Sequence, residues 1–135
     1  MVRRHLAVVP VAAVDDQTNH ALTYATTLAP QVLAVHIRTL KGRQAHGIED
    51  AWERSGASLP LLIVDASSVS SANAFRRALD VLMRTEQLDQ ITVVVPSYPP
   101  DHQAHESDVT TWCNALRGQQ RIVVRHTPAG NAAID

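Results

Sequence analysis

The chain has 135 residues, near the usual size of one globular domain, which argues against a second independent core. Hydrophobic residues make up 45% and charged residues 19%, and no stretch reaches the roughly 20 apolar residues that a bilayer span needs, so no direct membrane insertion is expected. The 12 Lys plus Arg and 13 Asp plus Glu give a formal charge of -1, which excludes nonspecific gathering of nucleic acid.

The first predicted element is a strand over residues 6–11, because a short Val-rich run is typical of a strand buried on both faces. Asp15 and Asp16 then precede apolar residues spaced by threes and fours. This pattern predicts a helix with aspartate at its N-cap, ending at Pro30. Capping also explains this acidic pair better than a catalytic role, since adjacent helical residues do not face each other.

A second strand is predicted over residues 32–37. After a loop over 42–47, the apolar spacing predicts a short helix that ends at Gly56. Residues 61–64 form the third predicted strand.

The longest helix is predicted within residues 70–87, with Ser70 or Ser71 as its N-cap. A fourth strand over residues 91–95 follows and is stopped by Pro96. Helical spacing returns before Gly118, and this helical face includes Cys113.

A fifth strand is predicted over residues 122–124, and residues 129–135 are expected to form a flexible tail after a single domain of residues 1–128. Strict alternation of apolar strands and helices predicts a doubly wound, five-stranded parallel sheet in a three-layer α/β/α fold. Ligands bind such sheets at the carboxyl ends of the strands, so the loops after Val11, Ile37 and Val95 are the expected functional surface.

No glycine opens a helix directly after the first or fourth strand, so neither a dinucleotide fingerprint nor a P-loop is present. Strand-end geometry nevertheless indicates where a nucleotide would lie if one binds. Its base would contact the ends of the first and second strands, and its polar parts would reach the neighbouring loops. The candidate residues are Pro10, Val11, Ala12, Thr18, His36, Ile37, Ser97 and Tyr98.

Other chemistry-bearing residues have a structural explanation beside a functional one. His102, His105 and Glu106 could share a helical face as a metal site. A polar first turn after two prolines is better explained as a solvated helix start, and the spacing is not that of known zinc helices, so no metal is expected. His36 is better explained as satisfied by the backbone than as a ligand contact. Cys113 lies on an apolar face, which indicates a buried hydrophobe rather than a nucleophile.

Arginines on the long helix allow two interpretations as well. Arg76, Arg77 and Arg84 could bind phosphates through their guanidinium groups, whereas a solvated helix face explains them without any ligand. The single cysteine permits no internal disulfide, and the N-terminus shows no signal peptide. Both features fit the cytoplasm.

Segments 9–14, 21–25 and 35–37 resemble the universal-stress-protein fold (adenine nucleotide alpha hydrolase-like). With segments 51–54, 59–64, 67–77 and 92–96, the chain more closely resembles the C-terminal cytoplasmic domain of bacterial amino acid–polyamine–organocation (APC) permeases, which include potassium/proton symporters. This resemblance runs from about residue 5 to residue 128.

The resemblance implies a noncatalytic cytoplasmic domain that forms a homodimer, regulates the transmembrane portion of an amino acid or potassium permease and binds cyclic di-AMP. The chain is expected to be either an excised domain or a free-standing relative. ATP-binding stress proteins carry an aspartate after the first strand and a glycine-rich loop after the fourth. Here Ala12-Ala13 and Ser97-Tyr98-Pro99 occupy those places, which makes ATP a less favoured ligand. The alternative is a free-standing universal-stress-like protein that binds an adenine nucleotide.

Overall fold

The computed structural model of the chain describes residues 4–38, 45–56, 58–66, 70–97, 109–116, 118–119 and 121–128. Its sheet has five parallel strands in the order β3-β2-β1-β4-β5. The strands are β1 (His5–Pro10), β2 (Gln31–Arg38), β3 (Leu61–Asp65), β4 (Gln90–Val95) and β5 (Ile122–His126). The helices are α1 (Asp16–Leu28), α2 (Ala45–Arg54) and α3 (Ser71–Thr85), and a helical turn at 109–113 continues into the 3-10 helix Asn114–Leu116.

This architecture confirms the predicted five-stranded, parallel α/β/α fold. The strand order reverses direction at β1, which pairs with β2 on one side and with β4 on the other. A doubly wound sheet therefore has its switch point between β1 and β4. In the described part of the chain, no helix is both long and apolar enough to cross a membrane.

Two apolar layers hold the sheet between its helices. On one face, Ala7, Val9 and Val94 pack with α1 and α2. On the other face, Val8 and Val93 pack with α3 and the helical segment 109–116. Because β1 and β4 are largely apolar, they can be covered on both faces, as the Val-rich pattern predicted.

The predicted start of α2 is wrong. The loop expected over 42–47 gives way to helix by Ala45, so Gly47 lies inside α2. Glycine costs a helix about 1 kcal/mol relative to alanine, but burial of Ile48 and Trp52 against the sheet outweighs it. The Trp52 Nε1–H also donates to the Leu59 carbonyl oxygen at 3.0 Å, which ties α2 to the segment before β3.

Both predicted helix caps are present. Asp15 has extended backbone, and its Oδ1 accepts a hydrogen bond from the Thr18 backbone N–H at 2.8 Å. The Ser70 hydroxyl accepts from the Asn73 N–H at 3.2 Å and starts α3. These bonds satisfy donors that a helix start otherwise leaves without partners.

The end of α3 has an unusual residue in a common helix-ending motif. Gln87 has a φ of 52°, and its N–H donates to the Arg84 carbonyl while the Leu88 N–H donates to that of Met83 at 2.9 Å. This pair of bonds is the Schellman pattern, in which the left-handed position is usually glycine. A glutamine there carries the Cβ penalty of the left-handed region.

Replacing the cap aspartate tests the start of α1. Asp15→Ala is expected to lower the free energy of unfolding by about 1 kcal/mol, because it removes the acceptor of the Thr18 N–H. Asp15→Asn, which keeps an acceptor oxygen, is expected to lose less. Asp16→Ala serves as the control, since Asp16 is exposed and does not cap. Urea denaturation would measure all three, and equal losses for Asp15→Ala and Asp16→Ala would contradict the capping role.

The left-handed position gives a stabilising prediction. Gln87→Gly is expected to raise the free energy of unfolding by about 0.5 kcal/mol, since relief of the Cβ penalty exceeds the added chain entropy of glycine. Glu86→Gly is the matched control, because Glu86 has a φ of -92° and should only lose stability. Urea denaturation would measure both variants. A loss of stability in both would contradict backbone strain at Gln87.

Candidate functional site

A small cleft opens at the carboxyl edge of the sheet, where the segments after β1 and β4 diverge. Asp16, Gln17 and His20 of α1 form one wall, and Ser97 after β4 and Pro128 after β5 form the other. The cleft has a volume of about 230 Å³. It is called the switch-point cleft below, because it lies where ligands bind in doubly wound sheets.

The switch-point cleft presents hydrogen-bonding groups of several kinds. Asp16 supplies a carboxylate, Gln17 an amide, His20 an imidazole and Ser97 a hydroxyl. Ligand pockets usually enclose about 300–1,000 Å³, so the described cleft has room for one base rather than for a whole dinucleotide. The carboxylate of Asp16 favours an amino group over a phosphate as its neighbour.

Three of these residues are of the types found in hydrolytic triads. Asp16, His20 and Ser97 line the same cleft, but in the described part of the chain no hydrogen bond joins any two of them. Nucleophilic catalysis needs the nucleophile and its base within about 3 Å. The described geometry does not join these three side chains into a triad.

The predicted ligand residues differ in how much of their surface a ligand could reach. Pro10, Val11 and Ile37 are fully buried in the apolar layers, with at most 3% of their surface exposed, so their side chains offer no surface to a ligand. Ala12 is half-buried and packs against the layer under α3, while Ser97 is exposed and lines the switch-point cleft. Tyr98 lies outside the described residues.

Thr18 has a structural role in this edge. Its side chain has no exposed surface, and its hydroxyl donates to the Ala13 carbonyl oxygen at 2.7 Å. The residue therefore closes the turn between β1 and α1. Its polar group is already used within the protein.

His36 joins three elements at the same edge. Its Nδ1 lies 2.7 Å from the Val11 carbonyl oxygen, which confirms the expected backbone partner and makes Nδ1 the donor. Its ring meets the ring of Trp112 edge to face, with centroids 6.0 Å apart. The half-buried imidazole thus fixes the ends of β1 and β2 relative to the helical segment 109–116.

Sequence reasoning missed several residues of this edge. Gln17 and His20 follow the N-cap of α1, and the first turn of a crossover helix always lies at the carboxyl edge, so this signal was available. Pro128 and Trp112 approach the edge from distant parts of the chain, and no local pattern indicates them. The metal candidates His102, His105 and Glu106 lie outside the described residues.

Comparison with known proteins gives two findings. A family model described as the KimA potassium transporter C-terminal domain matches residues 3–128. The potassium transporter KimA of Bacillus subtilis (strain 168) is 27% identical over 94 residues, which are 70% of this chain and 15% of that protein. The chain thus matches only a small part of this relative's length, and the predicted resemblance to the C-terminal domain of a potassium permease is confirmed.

Cys113 is the remaining candidate nucleophile. It packs against the apolar layer under α3, and burial raises the pKa of its thiol from 9.0 to about 12. A thiol with such a pKa carries almost no thiolate at neutral pH, so it is a poor nucleophile. The side chain acts as a small hydrophobic residue.

This burial predicts how stability depends on pH. The unfolded chain loses the thiol proton near pH 9, whereas the folded chain holds it to about pH 12, so stability falls as the pH rises above 9. Cys113→Ala should remove this contribution. The expected result is that the difference in unfolding free energy between the parent and the alanine variant shrinks between about pH 8 and pH 10. Denaturation curves at these pH values would measure it, and a constant difference would contradict the burial of the thiol.

Proposed function

This chain belongs to the family of KimA potassium transporter C-terminal domains, and we propose that it is a noncatalytic cytoplasmic domain that regulates an APC-type potassium or amino acid permease. The family match over residues 3–128 carries this proposal, because it includes every element of the sheet. The domain's partner in this proposal is the transmembrane portion of the permease.

Cyclic di-AMP is the ligand that the proposal assigns to the domain. The switch-point cleft offers space for one adenine, and the Asp16 carboxylate could accept hydrogen bonds from its amino group. Ser97 is the sequence-predicted residue that lines this space. The sugar-phosphate ring would extend beyond the described cleft.

ATP fits the same edge less well. Phosphates in doubly wound folds are held by backbone N–H groups of a glycine-rich turn, and here the buried Pro96, which has no N–H, precedes Ser97. A triphosphate beside α1 would also face Asp16. These features favour a ligand that presents its base, rather than its phosphates, to the cleft.

Assembly as a homodimer is the second part of the proposal. The outer edge of β5 pairs with no other strand among the described residues, and Val123 and Val124 are 41% and 39% exposed. Exposed apolar residues on a free sheet edge are suited to contact with a second copy. Light scattering would measure the mass, and Val123→Lys is expected to favour the monomer because edge lysines oppose strand pairing.

Isothermal titration with cyclic di-AMP tests the ligand, with ATP titrated in parallel. Saturable binding of cyclic di-AMP is expected. Ser97→Trp should weaken it by roughly tenfold, because an indole would fill the cleft that a base needs. Thr26→Trp, at an exposed position near the other end of α1, is the control and should bind normally.

Two results would contradict the ligand assignment. Preference for ATP would favour a free-standing universal-stress-like protein instead. Absence of binding by both nucleotides would leave a domain that acts only through contacts with protein. A change of affinity in Thr26→Trp equal to that in Ser97→Trp would show that the switch-point cleft is not the site.

A further inference from the structure

A second cleft lies at the opposite, amino edge of the sheet. It is formed by Asp80, Met83 and Arg84 near the end of α3 and by Gly118, Gln119 and Arg121 before β5, and it has a volume of about 610 Å³. This space, named the arginine cleft here, has no part in the proposed function. Its volume is within the range of small-molecule sites.

Two guanidinium groups line the arginine cleft, and neither has a carboxylate partner in the described part of the chain. Arg121 donates from Nε to the Asp89 carbonyl oxygen at 3.2 Å and from Nη2 to that of Leu88 at 2.6 Å. Among the described residues, the Arg84 guanidinium makes one long contact, from Nε to the Asp80 carbonyl oxygen at 3.5 Å. Arg121 Nη1 and both terminal nitrogens of Arg84 therefore keep N–H groups without an acceptor among the described residues.

One carboxylate and the end of a helix contribute negative charge to this cleft, and both have partners within the described chain. The Asp80 carboxylate pairs with Arg76, with Oδ2 and Nη1 3.4 Å apart. The carbonyl groups at the end of α3 accept bonds from the chain that follows, including the bond from Leu88 to Met83. The negative end of the helix dipole is thus partly neutralised. Two arginines and one carboxylate line the cleft, and that carboxylate is paired with Arg76.

We propose that the arginine cleft binds a phosphate group of a small ligand or of a lipid headgroup. A planar carboxylate is satisfied by a single guanidinium, whereas a phosphate carries up to two negative charges and several acceptor oxygens that two guanidiniums can share. This assigns a ligand to Arg84, one of the helix arginines for which sequence alone left both interpretations open. The inference does not depend on the proposed function, because the two clefts lie on opposite edges of the sheet.

Titration with pyrophosphate, followed by NMR of the arginine Nε–H groups and of the Gly118 and Gln119 amides, tests the site. Saturable shifts at these positions are expected. Arg84→Gln should weaken binding by roughly tenfold, since it removes one charge-assisted partner and leaves the contacts of Arg121 in place. Arg77→Gln is the matched control, because Arg77 is an exposed arginine of the same helix that does not line the cleft.

A second arm distinguishes the sources of phosphate. The protein is sedimented with phosphatidylglycerol vesicles. Cosedimentation that is reduced by Arg84→Gln and by added pyrophosphate would identify a lipid headgroup as the ligand. Pyrophosphate binding without vesicle binding would identify a soluble ligand. Arg121→Lys keeps the positive charge but loses the planar set of guanidinium N–H donors. It should therefore weaken binding both to pyrophosphate and to vesicles. Equal effects of Arg77→Gln and Arg84→Gln, or no shift at Gly118 and Gln119, would overturn the proposal.

Discussion

Burial of β1 and β4 on both faces is the constraint on which the rest of this domain depends. Each strand pairs on both edges, and Ala7, Val8, Val9, Val93 and Val94 have no exposed surface. Two strands covered in this way require helices on both sides of the sheet. The chain must therefore leave β1 toward one face and β4 toward the other, and the space between these departures becomes the switch-point cleft.

Much of this fold could be predicted because its signals are local. The Val-rich strands, the aspartate before α1 and the serine before α3 all act through residues a few positions apart. The start of α2 could not be predicted, because Gly47 locally disfavours a helix. The burial of Trp52 that compensates for it depends on contacts with the sheet, which a local sequence pattern does not include. The same limit applies to Gln87, whose left-handed backbone is imposed by the turn into β4.

The candidate site was predictable to the level of the sheet edge, but not to the level of individual contacts. Strand-end geometry correctly brought Ser97 and His36 to this edge, yet it could not distinguish exposed residues from Val11 and Ile37, which lie beneath it. Side-chain exposure depends on how closely α1 packs against the strand ends. His36 shows the same dependence, because its aromatic neighbour Trp112 is 76 positions away in the chain.

The parallel sheet also places the first and last described residues at opposite edges. Arg4 lies at the amino edge, where its N–H donates to Asp89, and Pro128 lies at the carboxyl edge. A strand rises about 3.3 Å per residue, so the two positions are on the order of 20 Å apart along the strand direction. Fluorophores attached at these two positions would therefore report on opposite edges of the sheet, about the length of one strand apart.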